Sequence, residues 1–597
     1  MASNIINEYK ESACDVLRAV FPQAMQWRFL IPALGICASV FAQSSTVDSY
    51  VSTESPIAKA GVLANIGANG VKSSGAYSGV VIASPSTTNP NYLYTWVRDS
   101  SLVFKTLIDQ YTSGQDTTLH SLVDDFVSAE ANIQQVINPS GTVSTGGLGE
   151  PKFYINETAF TGSWGRPQRD GPALRSIAMI TYANWLIANN NESYVADSLW
   201  PTIKLDLDYV MNNWNETTFD LWEEVDSSSF FTSAVQHRAL RQGSALATAT
   251  GQTSVVSGYN AQAEDILCFL QSFWSPSPGF MTANTGGGRS GKDSNTVLTS
   301  IHTFDVNAGC DATTFQPCSD IALSNLKVYV DSFREIYDIN TGIPASEAVA
   351  TGRYPEDVYQ GGNPWYLTTF AVAEQLYDAL IVWNNEGSLT VTDVSFPFFQ
   401  QFEQNITLGT YSSSTSTYST LTTAIKDFAD GFVAVAAKYT PSDGGLAEQY
   451  SRTNGTPVSA VDLTWSYASA LTVFNARAGK APASWGAASL TVSSACSTSE
   501  AATVPVVFNV NVTTTLGQNI YLTGSVGALT DWSTTDAILM SSADYPIWST
   551  AVTLLANTDV QYKYIIVDNG DITWESDPNN EFTTPTSGIT TRNDVWR

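Results

Sequence analysis

The chain has 597 residues, too many for one ordinary domain and enough for a large core with an accessory unit. Its 56 acidic and 27 basic side chains give a formal net charge of -29, which argues against nucleic acid or anionic membrane as a partner, because both bind clustered Lys and Arg. The 16 Trp supply flat apolar rings, and such rings pack well on the C–H faces of neutral sugars.

The N-terminal segment has the pattern of a secretory signal peptide. Phe29 to Ala42 form an apolar run behind Arg28, and Val40-Phe41-Ala42 fits a cleavage site after Ala42. The alternative, a membrane-spanning helix, needs about 20 apolar residues, more than this run contains. We therefore expect residues 1–42 to be a leader, with Met25 as a candidate for the true start, and the protein to be secreted.

Sequons and cysteines agree with export. Six N-x-[ST] sequons are present, at Asn156, Asn191, Asn215, Asn405, Asn454 and Asn511. Four cysteines follow the leader, and four allow three pairings. Cys310 and Cys318 would close a short loop, which favours one bridge there and leaves Cys268 to pair with Cys496.

Residues 50–496 alternate helix-length amphipathic stretches with long polar loops. Apolar residues spaced by three and four predict helices at Pro172–Asn189, Tyr194–Trp214, Ser324–Tyr337, Trp365–Trp383 and Thr423–Tyr439. Strand patterns are scarce in this region. Because long loops in a compact domain are usually functional, we expect the loops to carry the site.

After about residue 500 the period changes from helical to alternating. Val506 to Val512 and Val560 to Ile566 alternate apolar and polar residues, and Asn569-Gly570 indicates a turn. Residues 506–597 are therefore predicted to form an all-β domain of sandwich size. Residues 497–505 would be a short linker.

Two kinds of chemistry are disfavoured. The three histidines, His120, His237 and His302, form no H-E-x-x-H motif, which argues against a zinc hydrolase and a Ser-His-Asp enzyme. Gly286–Lys292 (GGGRSGK) imitates a phosphate-binding loop, but Asp293 stands where Ser or Thr must bind magnesium, and no strand pattern precedes it. We expect no metal and no cofactor.

Carboxylates remain as catalytic candidates. Glycoside hydrolysis uses one carboxylic acid to protonate the leaving oxygen and one carboxylate as base or nucleophile. Glu223-Glu224 lies among apolar residues, a setting that favours a protonated acid, and Glu448 lies in Gly445–Tyr450. An acidic pair on a helix surface is the alternative reading of Glu223-Glu224, and spacing alone does not decide between the two.

Longer motifs point to a family. The segments Trp96–Asp99 (WVRD), Gly162–Gly171 (GSWGRPQRDG), Leu221–Glu224 (LWEE), Gly352–Asp357 (GRYPED), Glu448–Tyr450 (EQY) and Asp462–Tyr467 (DLTWSY) occur in this order. They resemble the fungal glucoamylases of glycoside hydrolase family 15, and the resemblance covers about residues 50–597. It implies an all-α (α/α)6 barrel with a pocket at the end that carries the long loops.

The resemblance also implies roles for residues. Glu223 would be the general acid and Glu448 the general base of an inverting pair, whose carboxyl groups lie about 6.5–9.5 Å apart. The implied substrate-binding residues are Tyr92, Trp96, Arg98, Asp99, Lys152, Trp164, Trp222, Glu224, Arg353, Asp357, Tyr359, Trp365 and Trp465. A closed pocket admits only a chain end, so the implied activity is exo-hydrolysis of α-1,4 and, more slowly, α-1,6 glucosidic bonds with release of β-D-glucose.

The C-terminal domain resembles carbohydrate-binding module family 20, an immunoglobulin-like sandwich. Its main starch site would use Trp532, Lys563, Trp574, Glu575 and Asn579. A second site in this family uses two tyrosines, of which Tyr545 is present whereas Leu516 replaces the other. We expect that second site to be weakened.

The expected partners are starch, glycogen and malto-oligosaccharides, bound by a monomer. Two other readings compete with an active glucoamylase. A starch-binding protein with a dead catalytic domain would have lost Glu223 or Glu448, and both are present. An inverting hydrolase of trehalose or another glucoside would not need the starch module.

Overall fold

The structure is a computed structural model. It describes residues 27–493, 496, 503–515, 517–535, 537–556, 558–568, 570–585 and 588–597. The expectations for Met25 as the start and for Leu516 in the second starch site concern residues outside these ranges, as does most of the expected linker.

Helix α1 runs from Trp27 to Ala64 and includes the expected signal-peptide run and cleavage site. Within the described ranges, no helix combines the length and apolar character needed to cross a membrane.

Twelve long helices of the described chain form two concentric rings. The inner ring consists of α2 (Val97–Thr112), α4 (Asp170–Ala188), α6 (Phe230–Ala249), α8 (Ser294–His302), α10 (Tyr366–Glu386) and α12 (Thr464–Arg477). The outer ring consists of α1, α3 (His120–Gln135), α5 (Trp200–Asn213), α7 (Val256–Leu270), α9 (Asp320–Asp331) and α11 (Ser416–Tyr439). Each inner helix packs on the next, and α12 packs back on α2, so the inner ring closes. This is the expected (α/α)6 barrel.

Hydrophobic patterning explains which helices are inside. In α10 every residue from Tyr366 to Ala379 is buried, as a helix covered on all sides requires. The outer helix α11 instead buries a single stripe that includes Leu421, Ile425, Phe428 and Phe432, spaced by four, three and four residues.

The five predicted helices are all present, with shifted ends. The segment predicted as Tyr194–Trp214 is divided into a π-helical turn, Val195–Leu199, and helix α5. Pro201 lies in the first turn of α5, where its missing N–H costs nothing, and it cannot continue a preceding helix. The segment predicted as Ser324–Tyr337 starts earlier and ends earlier as α9, because Ser319 caps its N-terminus through the N–H of Ala322.

Short antiparallel pairs shape the loops between helices. They are β1 (Thr95–Trp96) with β2 (Lys152–Phe153), β3 (Thr218–Phe219) with β4 (Asp226–Ser227), β5 (Trp274–Ser275) with β6 (Phe280–Met281), β7 (Ser388–Val391) with β8 (Gly409–Ser412), and β9 (Gln449–Tyr450) with β10 (Pro457–Val458). A short helix, Phe396–Gln400, lies between β7 and β8.

The C-terminal domain is a β-sandwich. One sheet has the order β14 (Ser541–Asp544), β15 (Ile547–Leu555), β11 (Thr503–Asn511), β19 (Thr590–Val595). The other has the order β13 (Ile538–Leu539), β12 (Gln518–Gly524), β16 (Asp559–Asp568), β17 (Asp571–Trp574), with β18 (Asn580–Thr583) also paired to β16. The alternating residues Val506, Phe508 and Val510 point into the core between the sheets. The first strand begins at Thr503, three residues before the position that the alternation indicated.

Both expected disulfides are present. Cys310 is bonded to Cys318, eight positions later, and Cys268 is bonded to Cys496, 228 positions later. The second bridge ties helix α7 to the end of the catalytic domain.

A buried ion cluster joins three helices of the barrel. Arg175 on inner helix α4 donates from Nε to Oδ2 of Asp206 on α5 at 2.8 Å and from Nη1 to Oε2 of Glu130 on α3 at 3.0 Å. All three side chains are buried. Removing the cation would leave two carboxylates buried without it, which is costly in a medium of low dielectric constant.

We predict that Arg175→Ala lowers the free energy of unfolding of the catalytic domain by about 3–5 kcal/mol. The control is Arg241→Ala, because among the described residues Arg241 forms an ion pair with the largely exposed Glu264, at 3.9 Å, and loss of that pair should cost no more than about 1 kcal/mol. Urea unfolding followed by tryptophan fluorescence measures both. Equal losses in the two variants would contradict the assigned importance of the buried cluster.

Candidate active site

A cavity of about 600 Å³ lies at the end of the barrel where the inner helices begin. Trp96, Trp365 and Leu463 occupy the N-cap positions of α2, α10 and α12, and all three line the cavity. Helix N-termini carry partial positive charge and therefore favour anionic groups nearby. Loops and the N-terminal ends of inner helices, which favour anionic groups, therefore surround this cavity.

Fourteen of the fifteen residues expected in the active site line this cavity. The lining residues are Tyr92, Trp96, Arg98, Asp99, Lys152, Trp164, Trp222, Glu223, Glu224, Arg353, Tyr359, Trp365, Glu448 and Trp465.

 Of the expected residues, Asp357 alone is absent from this lining. The fold brings together residues that lie up to 373 positions apart, between Tyr92 and Trp465.

Glu223 and Glu224 lie on a tight turn, not on a helix surface. The turn Asp220–Val225 connects β3 to β4, and Asp220 Oδ1 accepts the backbone N–H groups of Glu224 at 2.9 Å and Val225 at 3.2 Å. Glu223 has a φ of +66°, in the left-handed region that a residue with a side chain seldom adopts. Such backbone strain clusters at functional sites.

One oxygen of Glu223 is held by three N–H donors. Its Oε1 accepts from Trp96 Nε1 at 2.7 Å, from Gln168 Nε2 at 3.0 Å and from Arg98 Nη2 at 3.4 Å. Arg98 is itself fixed by Gln168 and Asp170, each at 2.9 Å. A proton on this carboxyl group would therefore sit on the other oxygen, Oε2.

Glu448 is enclosed more completely. Its Oε2 accepts from Gln449 Nε2 at 3.1 Å and from the hydroxyl of Ser459, which lies beside the hairpin formed by β9 and β10. Burial raises the pKa of Glu448 to about 7, against the opposing hydroxyls of Ser459 and Tyr92 and the charge of Arg353. Burial likewise raises the pKa of Asp99 to about 7, against the charge of Arg98.

Asp357 is not among the residues that line the cavity, and its expected role in binding substrate stays a prediction. Its carboxylate binds Arg353 through two hydrogen bonds, from Nε at 2.8 Å and from Nη2 at 2.6 Å. Arg353 Nη2 also donates to Glu224 Oε1 at 2.9 Å. Through these two hydrogen bonds Asp357 holds Arg353 in place.

Aromatic rings form the walls. Trp222 lies 5.6 Å from Trp365 and 6.4 Å from Trp465, measured between ring centroids. On the opposite side the Lys152 ammonium lies within 4.5 Å of four rings, those of Tyr94, Trp96, Phe160 and Trp164. Burial lowers the pKa of Lys152 to about 8, whereas the negative charge of Glu223 acts in the opposite direction. The four rings around the ammonium group also favour its cationic form.

The sequence analysis missed several residues of this site. Tyr94 and Phe160 line the cavity, and Gln168 and Ser459 hold the two central carboxyl groups. Gln168 stands inside the motif Gly162–Gly171, so the motif contained it without revealing its role. Ser459 lies eleven positions after Glu448, and only the hairpin brings the two together.

A second candidate site lies on the C-terminal domain. Trp532 ends a 3-10 turn, Gly527–Trp532, and its ring centroid lies 6.5 Å from that of Trp574, which is 40% exposed. Asn579 donates from Nδ2 to Gln561 Oε1 at 2.9 Å. Tyr545 is half exposed, and its hydroxyl forms hydrogen bonds with the backbone N–H and C=O of Thr514.

Two of the expected starch-site residues serve mainly inside the module. Glu575 is 2% exposed, and its carboxylate accepts from Arg597 Nε at 3.1 Å and from Asn580 Nδ2 at 2.9 Å. Lys563 is buried and donates to the carbonyl of Glu575 and to Asp577 Oδ1. Glu575 therefore supports the loop beside Trp574 through contacts inside the module, and its expected part in starch binding stays a prediction.

Comparison with known proteins covers both domains. The family model described as glycosyl hydrolases family 15 matches residues 56–475, and the starch binding domain model matches residues 503–594.

Whole-length relatives and solved structures agree with this division. The chain is 61% identical to Glucoamylase-1 of Schizophyllum commune over 94% of this chain and 98% of that protein. It is 48% identical to a glucoamylase of Neurospora crassa over 92% and 94% of the two chains. The solved structure of the glycoside hydrolase family 15 glucoamylase from Hypocrea jecorina is 49% identical, covers 92% of this chain and 100% of its own, and has a TM-score of 0.74.

Proposed function

The chain belongs to glycosyl hydrolases family 15, and on that premise we propose that it is a secreted glucoamylase that releases β-D-glucose from the non-reducing ends of starch with inversion. Its class is that of an exo-acting glucan 1,4-alpha-glucosidase. The observation that carries the proposed mechanism is the pair Glu223 and Glu448 in one cavity walled by tryptophans.

The acid role falls to Glu223. Because Oε1 accepts three N–H groups, Oε2 is the oxygen that can carry a proton and give it to the glycosidic oxygen as the bond breaks. Trp96, Gln168 and Arg98 then stabilise the carboxylate that this proton transfer creates.

The base role falls to Glu448. Ser459 and Gln449 hold Oε2, so we assign to Oε1 the task of taking a proton from the attacking water. Inversion follows if that water attacks the anomeric carbon from the face opposite the leaving oxygen. Arg98 and Asp99, near the bottom of the cavity, would bind hydroxyls of the terminal glucose through charge-assisted hydrogen bonds.

The shape of the site supports exo attack. The continuous apolar core of the inner ring closes the cavity from below. A cavity closed at one end favours a substrate that enters with its terminal glucose first. A slower reaction at α-1,6 bonds would use the same bottom of the cavity.

The starch-binding domain supports starch as a partner. We further propose glycogen and malto-oligosaccharides as substrates and a monomer as the active form. Export is supported by the two disulfides and by the asparagines of all six sequons, which are exposed. The intact pair Glu223 and Glu448 argues against a dead catalytic domain, and the starch-binding domain argues against a trehalose hydrolase.

We predict that the earliest product from soluble starch is β-glucose alone, because a water held by Glu448 attacks opposite the leaving group. Proton NMR before mutarotation measures the anomer. α-Glucose would overturn the assigned roles, a spread of oligosaccharides would mean an open cleft, and no product would favour a binding protein.

As the matched test of the two roles, Glu223→Gln and Glu448→Gln should each lower kcat on maltose by about 100- to 10,000-fold. Glu264→Gln is the control, since that carboxylate is exposed outside the cavity.

We predict that Ser459→Ala moves the acidic limb of the kcat/KM profile to higher pH by about 1 unit. The Ser459 hydroxyl favours the ionised form, so its loss raises the pKa of Glu448, and the base then ionises only at higher pH. A pH series on maltose measures the shift. The basic limb, which reports the acid, is the internal control, and an unmoved acidic limb would contradict Glu448 as the base.

We predict that the double change Trp532→Ala and Trp574→Ala lowers adsorption to starch granules by at least about tenfold, because each ring supplies about 1 kcal/mol or more of stacking. Maltose hydrolysis should change less than about twofold. Tyr545→Ala is the comparison for the weakened second site. Granule binding that survives the double change would refute the assignment of the main site.

A further inference from the structure

The glycine-rich loop Gly286–Lys292 has a use that phosphate binding does not explain. It packs directly on the turn that carries Glu223 and Glu224. Gly287 has a φ of +98°, and a Cβ atom there would lie 2.8 Å from both Cγ atoms of Val225. Glycine is therefore required by the close approach of the loop to the catalytic turn.

The loop contributes one cationic side chain, that of Arg289, to the contacts of the turn. Arg289 donates from Nη2 to Glu224 Oε2, and its Nη1 lies 3.7 Å from Asp220 Oδ2. Its guanidinium group stacks on the ring of Tyr354 at 3.7 Å from the centroid. Arg289 thus bridges the base of the turn, at Asp220, to its outer carboxylate, at Glu224.

Three donors hold the Glu224 carboxylate. Arg353 holds Oε1 at 2.9 Å, and the Tyr354 hydroxyl holds Oε2 at 2.5 Å together with Arg289. These groups hold the pKa of Glu224 below its usual value despite burial, which acts in the opposite direction. The carboxylate is therefore both ionised and fixed in direction.

Exposure indicates which part of a substrate Glu224 meets. The side chains of Arg98, Glu223 and Glu224 are 5%, 19% and 29% exposed. Glu224 is the most exposed of the three, as expected of a residue nearer the mouth of the cavity. If the terminal glucose occupies the bottom, Glu224 faces the glucose unit on the leaving side of the scissile bond.

We infer that Arg289 is a positioning residue that fixes Glu224 and thereby sets the affinity for the leaving-side glucose unit. This inference rests on the proposed function, because it needs an α-glucoside whose terminal unit enters first. Arg289 itself does not touch the reacting atoms.

The test compares Arg289→Ala and Arg289→Lys on two substrates. Maltose has a leaving-side glucose, whereas 4-nitrophenyl α-D-glucopyranoside has an aromatic leaving group without sugar hydroxyls. Arg289→Ala should raise KM for maltose about tenfold, the loss of one charge-assisted hydrogen bond, with kcat within about twofold. KM for the nitrophenyl glucoside should change less than about twofold.

Arg289→Lys should recover part of the maltose affinity, because lysine keeps the charge but loses the planar stacking on Tyr354. Arg241→Ala is the matched control outside the cavity. If Arg289→Ala does not fold, Arg289→Gln replaces it and is read in the same way.

An equal loss on both substrates, or unchanged KM for maltose, would overturn the inference. Failure of the proposed function is distinguishable, since the unaltered enzyme would then release no glucose from maltose.

Discussion

The convergence of Trp96, Gln168 and Arg98 on one oxygen of Glu223 is the contact on which the rest of the site depends. A carboxyl group that must release a proton in one direction needs one oxygen bound and the other free. These three donors achieve that asymmetry. They come from β1, from the loop before α4 and from the first turn of α2, so the asymmetry exists only when the barrel is closed.

The other two carboxyl groups of the site, Glu448 and Glu224, differ in the groups that bind them. Glu448 is buried with hydroxyl and amide donors, whereas Glu224 is held between Arg353 and Arg289. Because Glu223, Glu224 and Glu448 share one cavity, they would compete for the same protons if their environments were alike. Distinct donors give each of them a different task.

The architecture explains why so many long loops are tolerated. The inner helices begin at one end of the barrel, and the loops that precede them are anchored by short strand pairs such as β3 with β4 and β9 with β10. A rigid ring of helices thus positions residues on irregular backbone, including Glu223 with its left-handed φ. Strain on the turn is offset by Asp220 and by the glycine-rich loop packed against it.

Much of this protein could be predicted from the sequence. The apolar spacing in α4, α10 and α11 and the alternation from Val506 to Val510 determine helix and strand, because the periods of the two structures differ. The motifs containing Glu223 and Glu448 identified the two carboxylates by resemblance. Tertiary structure alone decided that Asp357 binds Arg353, that Glu575 binds Arg597, that Ser459 reaches Glu448, and that the loop carrying Arg289 packs on the turn beside Glu224. The physical reason is that a periodic pattern reports burial, whereas the partner of a polar group depends on which distant segments the closed barrel brings within hydrogen-bond distance.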